Sequence, residues 1–503
     1  MNSLIKKIDE KFLKSAALVL FVIYSIFAVT AYTADSEFWT IALSKLLYSF
    51  DGHIALLQKL PFYFILNIPY HIFADSLLVL MMEKSLFYLV SVGIFYFCYK
   101  ILLFYKIDNK VIFLFFISLF LFESVFSQTF RIRSDNLALL FFLILFYMGL
   151  LDSSDTLKQT VRFFLLSLLM FLITPKAIYF LVLFFLYHVY NQKLLFKRLK
   201  SILLFFLLPP FICLFVGFIL DKFQMPYLKD AYTKAVLYFL NSFNRQSFQS
   251  TYLSLDSFNF LLRAVFRSPI HIIFIFASIF AGLKFRKKLN NNEVILIPII
   301  ILGVLFLVFH NQKLPFFINS LLLPVFLFSF IIFAKCKQCI AQPFPYPKIA
   351  ILFVALTLTY SVYQISHLII KQNGLTQIST VSKMQSYFSQ YPESEIYDGI
   401  GILNSGNVLH SFAGPDDRNM KMMTLELLKE HRPDFIIYVP KLFELEPQLS
   451  LLLEYQYIPI ANGVWAYANQ NEGHDMSTSF KKMELGLPYD ISYYFAFEWS
   501  ELL

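Results

Sequence analysis

The stretch FLKSAALVLFVIYSIFAVTAY, residues 12–32, followed at once by Thr33-Ala34-Asp35-Ser36-Glu37-Phe38-Trp39, decides the fold. The apolar run carries only Lys14 as a charge and matches the roughly 20 residues that cross a bilayer core as a helix. Two carboxylates, Asp35 and Glu37, then stand where the span ends. Ionisable groups at a membrane boundary are costly to hold and point to function. The basic first 14 residues and the length of the span read as a retained first helix, a pattern shared with an uncleaved signal anchor.

The same kind of run recurs down most of the chain. Of 503 residues, 58% are hydrophobic and 15% charged, and the mean hydropathy is +0.64. That excludes a soluble globular protein and implies a mainly α, polytopic integral membrane protein. Phe alone numbers 62, so hydrophobic periodicity is hard to read and the aromatic excess is taken as membrane composition. About eleven transmembrane helices are expected, over residues 12–32, 83–104, 111–126, 135–151, 163–173, 177–190, 201–220, 269–283, 294–309, 316–334 and 349–370. Two long outer loops, 33–82 and 221–268, separate them. The first holds the apolar stretch 61–69, broken by Pro61, Asn67 and Pro69; it reads as an interfacial or re-entrant element. Were it to span, every later assignment would invert. No internal repeat is visible.

Charge orients this layout. Residues 1–370 carry 33 Lys+Arg against 16 Asp+Glu, whereas residues 371–503 carry 9 against 17. Of the basic residues, 20 fall in the short segments assigned inside and 12 in the longer outer loops. The positive-inside rule then places the N-terminus in the cytoplasm and the tail outside. Basic loops at a cytoplasmic leaflet explain the net charge of +9 without nucleic-acid binding. Two domains are expected: a transmembrane part, 1–370, and a small α/β extracytoplasmic domain, 371–503. In the tail, residues 394–398, 434–439 and 464–467 read as strands, and 424–431 and 449–455 as helices. Cys98 and Cys213 lie in apolar spans; Cys336 and Cys339 form a lone CxxC, a weak zinc signal without a second pair.

Candidate chemistry gathers on the face assigned outside. Asp35 and Glu37 can supply a general base or bind a divalent cation such as Mg or Mn through hard oxygen ligands. Whether a cation is used is open, and no other cofactor is indicated. Arg131 and Arg133, with Asp135, sit at the turn between the third and fourth spans; arginine suits bidentate phosphate contacts but also snorkels to headgroups. Lys176, in Thr174-Pro175-Lys176, caps two short helices, and His310 and Lys313 add a further cationic turn. Each turn alone is unremarkable for a membrane protein. Together with the acidic pair they can hold an anionic, lipid-linked substrate beside a base. The chain has no glycine-rich phosphate loop, HExxH or GxSxG, so nucleotide hydrolysis and protease or lipase chemistry lack support.

In order and spacing these residues resemble the C-type membrane glycosyltransferases, with the protein O-mannosyltransferases and lipid A aminoarabinose transferases the most similar groups. The resemblance covers most of the chain. It rests on the acidic motif after span one, the Pro-rich element of the first outer loop, Arg131 to Asp135 and Thr174-Pro175-Lys176-Ala177. It continues through Lys313-Leu314-Pro315-Phe316-Phe317 with Pro324, and a tail with Pro433-Asp434-Phe435-Ile436-Ile437-Tyr438, Tyr455 and Gly463-Val464-Trp465-Ala466-Tyr467. The resemblance implies a polyprenyl-phosphate sugar donor, undecaprenyl phosphate in a bacterium, and an inverting transfer at the outer face of the inner (plasma) membrane. It implies Asp35 as general base, with Glu37 assisting or binding a metal. It also implies Arg131, Arg133 and Lys176 as neutralisers of the departing phosphate, with His310 and Lys313 as further candidates. The Asp-x-Glu motif differs from the adjacent Asp-Glu of the protein O-mannosyltransferases, which argues against a protein acceptor. His310-Asn311-Gln312-Lys313 is imperfectly similar to the His-Lys-Glu turn of dolichol-mannose-dependent enzymes. A lipid, a polysaccharide or a protein is the open choice of acceptor. Two other classes compete: a transporter or flippase of lipid-linked saccharides, and a non-catalytic membrane scaffold. The long first loop, the sizeable tail and the lack of inverted repeats weigh against transport.

Overall fold

A computed structural model describes residues 9–31, 33, 37, 41, 60–151, 157–174, 176–191, 262, 265–309, 315–337, 347–371, 374–398, 403, 407–409, 428–437, 456–461 and 464–467, with isolated positions in 204–212. Most of the expected span 201–220 and of the loop 221–268 lies outside them, as do the helix expected at 449–455 and most of 424–431.

The described helices are α1 (Glu10–Thr30), α2 (Leu60–Ile72), α3 (Ser76–Phe104), α4 (Asn109–Phe120), α5 (Glu123–Gln128), α6 (Ser134–Leu151), α7 (Leu157–Ile173) and α8 (Ala177–Asn191). After the gap come α9 (Pro269–Phe285), α10 (Asn291–Val294), α11 (Leu296–Phe309), α12 (Pro315–Lys337), α13 (Pro347–Lys371) and α14 (Leu375–Phe388). Six segments among the described residues are long and apolar enough to cross a membrane: Glu10–Thr30, Ser76–Phe104, Ser134–Leu151, Pro269–Lys288, Asn291–Val308 and Asn319–Cys336. The protein is thus a mainly α, polytopic integral membrane protein with a small sheet, as its sequence implies.

The chain divides into two compact units. The first comprises Met1–Ala28, Gly52–Phe62 and Phe87–Lys371; the second comprises Val29–Asp51, Tyr63–Leu86 and Gln372–Leu503.

In the first unit α12 is the central element. Leu321, Leu323, Leu327, Phe328, Ile331 and Ile332 are all fully buried, and α9 and α11 both pack against it. Between helices in lipid there is no hydrophobic driving force, so packing shape carries the association. Two devices supply it. Gly303 in α11 lets Val325 of α12 approach so closely that any Cβ would collide with its methyl. Aromatic rings fill the other contacts: Tyr24 meets Phe95, Phe120, Phe126 and Phe130 at centroid distances of 5.2–6.0 Å. His271 stacks on Phe122 at 4.3 Å, while its Nε2 lies 2.8 Å from the Ser118 carbonyl. Two ion pairs, Arg267–Glu123 and Lys335–Glu293, each at 3.2 Å, join elements far apart in sequence. Cys98 and Cys336 are buried.

α7 begins at Leu157, six residues before the span expected at 163, and three further departures from the hydropathy reading each have a local reason. α3 begins at Ser76, seven residues before the apolar window expected at 83, because Asp75 caps it: its Oδ1 accepts from Leu78 N at 2.8 Å. The expected span 111–126 is two helices. α4 starts behind Asp108, whose side chain accepts from Lys110 N, and ends at Phe120, with Leu121 as its C-cap; α5 follows, all six of its residues buried. The stretch 61–69 lies within α2, 13 residues or about 20 Å long, short of a ~30 Å core.

In the second unit five short strands, β1 (Glu395–Asp398), β2 (Asn407–Leu409), β3 (Phe435–Ile437), β4 (Tyr457–Ala461) and β5 (Val464–Tyr467), form a sheet in the order β2-β1-β3-β5-β4. β2, β1 and β3 run parallel; β5 pairs antiparallel with β3, and β4 antiparallel with β5. The strands read from sequence, β1, β3 and β5, are the three inner ones. The two unforeseen ones are the outer strands, where three residues suffice for β2. Pro459 is accommodated in β4, which shifts register between Pro459 and Ala461, because a strand with one neighbour has N–H groups to spare. Asp434 ties the sheet together, accepting from Glu395 N at 2.9 Å through Oδ2 and from Tyr467 N at 2.7 Å through its carbonyl. α14 packs on it by Phe388, and Tyr391 just past its end adds a second contact, against Phe435 at 5.3 and 5.5 Å.

Candidate functional site

The turn between α5 and α6 is knitted by backbone-directed bonds. Arg131 N donates to the Gln128 carbonyl at 3.2 Å and Asn136 N to that of Arg133 at 3.2 Å. The Asn136 amide donates to the carbonyls of Gln128 at 2.8 Å and Arg131 at 3.0 Å. A turn fixed this way holds its side chains in one place. Arg131 is the largest of the fully buried side chains among the described residues, 1% exposed. Its Nε donates to the Ser127 carbonyl at 3.2 Å and its guanidinium lies over the Phe130 ring, 5.0 Å from the centroid. An arginine snorkelling to headgroups would be exposed at its tip; this one turns inward.

Asp135 opens α6, 5% exposed, where a carboxylate also favours the helix N-terminus. Lys176 sits in the turn between α7 and α8, which closes through Thr174 N to the Met170 carbonyl and Ala177 N to the Thr174 carbonyl, 3.1 and 2.9 Å. Loss of hydration lowers the Lys176 ammonium from the usual lysine range; Asp135 opposes that shift and Arg133 adds to it. Lys176, itself half-buried, therefore lies within electrostatic reach of the half-buried Arg133 and the buried Asp135, although some forty residues of chain separate the two turns. Three of the residues singled out in the sequence are brought together here, and Arg131 belongs to the same turn.

The acidic motif belongs to the second unit. Glu37 is 2% exposed, a buried carboxyl rather than a solvated one. Asp35 lies outside the described residues, as do His310 and Lys313. Among the described residues no group of three or more His, Cys, Asp or Glu side chains is gathered for a metal ion. Of the acidic pair suggested to hold a divalent cation, only Glu37 is described, so no step is assigned to a cation.

Sequence reading passed over several polar residues that the structure makes prominent. Lys84, 6% exposed, donates from Nζ to the Ala31 carbonyl at 2.5 Å; its signal was a Glu83-Lys84 pair inside an apolar helix. Gln377, 1% exposed, grips the Thr33 peptide, accepting from its N–H at 2.8 Å and donating to its carbonyl at 2.9 Å. Nothing in the local sequence marks it.

No protein-family model matches the chain, and no curated protein matches it. Among solved structures it is similar to the archaeal oligosaccharyltransferase AglB from Archaeoglobus fulgidus in complex with an inhibitory peptide and a dolichol-phosphate. The two are 11% identical with a TM-score of 0.46, over 92% of this chain and 75% of that one. It is likewise similar to the apo form of the Archaeoglobus fulgidus oligosaccharyltransferase, 11% identical with a TM-score of 0.45, over 91% of this chain and 75% of that one.

Proposed function

We propose that the protein is an inverting glycosyltransferase that moves a sugar from a polyprenyl-phosphate carrier to an acceptor hydroxyl at the outer face of the membrane. The observation that carries this reading is the shared locality of Lys176, Arg133 and Asp135 beside the buried Arg131. Cations held by stiff turns, one of them fully buried, suit a phosphate whose charge grows during reaction. The acceptor oxygen attacks the anomeric carbon from the face opposite the phosphate. The bond from that carbon to the phosphate oxygen breaks, and the lipid phosphate departs with one more negative charge than it had in the donor. Asp35 takes the hydroxyl proton as general base, and Glu37 supports it. Arg131, Arg133 and Lys176 stabilise the departing phosphate, with His310 and Lys313 as further contributors, and Asp135 keeps Lys176 protonated.

The test is transfer of radiolabelled sugar from polyprenyl-phosphate donors into membrane extracts, comparing wild type with Asp35→Asn. An amide cannot accept the proton, so a loss of about 10²- to 10⁴-fold is expected for a general base, with insertion and thermal stability unchanged. Equal incorporation by the two proteins would refute the assignment. A well-inserted wild-type protein that transfers no label from any donor would favour carriage of lipid-linked saccharides, which also needs cations in a membrane cavity, or a non-catalytic membrane scaffold.

A further inference from the structure

The buried guanidinium of Arg131 is planar, and which of its N–H edges can meet a phosphate depends on how that plane lies. The bond from Nε to the Ser127 carbonyl at 3.2 Å fixes one direction within the plane. About that bond the fork can still turn. The ring of Phe130 limits this freedom, because the guanidinium carbon stands over it, 5.0 Å from its centroid, and a cation is drawn to the face of a ring.

The Phe130 ring is itself held. It is 4% exposed, and two residues of α1 set their rings across it, Tyr24 at 6.0 Å and 69° and Phe27 at 5.4 Å and 83°. Three positions apart, Tyr24 and Phe27 share one side of α1. The same two rings grip Phe126 in α5, Phe27 stacked on it at 5.3 Å and 19° and Tyr24 across it at 5.5 Å and 80°. Phe126 and Phe130 thus meet α1 as a pair, one before and one after the end of α5 at Gln128. Tyr24, Phe27 and Phe126 are buried as well, and close-packed rings have little room to swing. A leucine at position 130 would keep much of the apolar contact. It would offer no ring face to the cation and no edge-to-face geometry to its neighbours.

We infer that α1 sets the plane of the Arg131 guanidinium through Phe130, which is the positioning residue of the proposed phosphate site. This rests on the reading of Arg131 as a ligand of the carrier phosphate. α1 is then more than a membrane anchor, since its Tyr24 and Phe27 bear on donor use through Phe130.

The ring cluster carries its own control. Phe95 in α3 meets Tyr24 at 5.2 Å and Phe120 at 5.3 Å, but it does not pack on Phe130. Phe130→Leu, Phe130→Tyr, Phe95→Leu, Arg131→Ala and the double variant Phe130→Leu/Arg131→Ala are compared in the full-length protein in nanodiscs. The readouts are the Kd for undecaprenyl phosphate, the carrier released in the proposed transfer, and the thermal midpoint. Losing the alignment of one charge-assisted hydrogen bond weakens binding by about 10-fold or more. Phe130→Leu should raise Kd by about that factor, whereas Phe130→Tyr, which keeps the ring, and Phe95→Leu, with a thermal midpoint lowered as in Phe130→Leu, should stay within about threefold of wild type. A residue that acts through the guanidinium loses its effect once the guanidinium is gone. Adding Phe130→Leu to Arg131→Ala should therefore raise Kd by no more than about threefold.

The same fold-loss from Phe130→Leu in both backgrounds, or equal losses in the two leucine variants, would overturn the inference and make Phe130 plain packing. So would wild-type binding in Phe130→Leu beside a weakened Arg131→Ala, an outcome that leaves the phosphate reading standing. Wild-type binding in Arg131→Ala, or no binding of the carrier by wild type, would remove that reading itself. Should Phe130→Leu not fold, Phe130→Met, flexible and apolar but without a ring face, is read by the same criteria.

Discussion

Replacing Arg131 with lysine separates charge from geometry at the proposed phosphate site. The side chain is buried, its Nε bonded to the Ser127 carbonyl at 3.2 Å and its plane over Phe130. Lysine keeps the positive charge and part of the ring contact but loses the Nε donor and the planar fork. One hydrogen bond involving a charged group is worth about 1.5–3 kcal/mol, so the folded protein should lose that much stability. Loss of one charge-assisted bond to the donor phosphate has the same magnitude and converts to a fall of roughly 10- to 150-fold in kcat/KM. Arg131→Ala, which removes the charge as well, should fall further. The assay is a donor titration with purified protein in detergent or nanodiscs, beside thermal unfolding of each variant. The defect should be greatest at limiting donor. A folded Arg131→Lys protein that transfers at limiting donor within twofold of wild type would refute the phosphate role and leave Arg131 as a structural tie for its turn.

Lys176 makes a pH prediction with a definite sign. Burial holds its protonation below the ordinary lysine range; the cation is present below that lowered pKa, so transfer should decline as pH rises through it. Arginine stays charged throughout, so Lys176→Arg should move the alkaline decline upward, and an unchanged alkaline limb in pH–rate profiles would sink the assignment. In the helix packing, Gly303→Ala puts a methyl against Val325; overpacking of this kind costs about 1–3 kcal/mol. Val325→Ala in the same chain should recover most of the thermal stability, whereas simply additive losses would show that the two residues do not meet.

Much of the fold was legible because membrane helices announce themselves. α1, α6, α9 and α12 begin and end within a few residues of the apolar runs that mark them. The misreadings share a cause: polar groups that act on backbone rather than on hydropathy. Asp75 starts α3 early, and Asp108 starts α4. β1, β3 and β5 were readable because each carries a short run of apolar and aromatic residues, Ile396-Tyr397, Phe435-Ile436-Ile437 and Val464-Trp465-Ala466-Tyr467, while β2 and β4 contain what outer strands tolerate, brevity and a proline. The cationic cluster was visible since Arg131, Arg133, Asp135 and Lys176 interrupt an apolar chain. Gln377 was not, because its meaning lies in a peptide 344 residues away, and Glu123 likewise gains its sense only from Arg267.

The outer strands have a consequence for how copies of the protein live side by side. Proteins confined to one bilayer meet far more often than in free solution, and always with the same parts at the same height. A tail ending in long, straight strands would give such neighbours a ready template for sheet-to-sheet zippering. β2 offers only three residues, and β4 offers a chain interrupted by Pro459 and a register shift. Among the described residues, then, neither outer strand offers a long run of aligned donors and acceptors from which the ladder could extend into a neighbour.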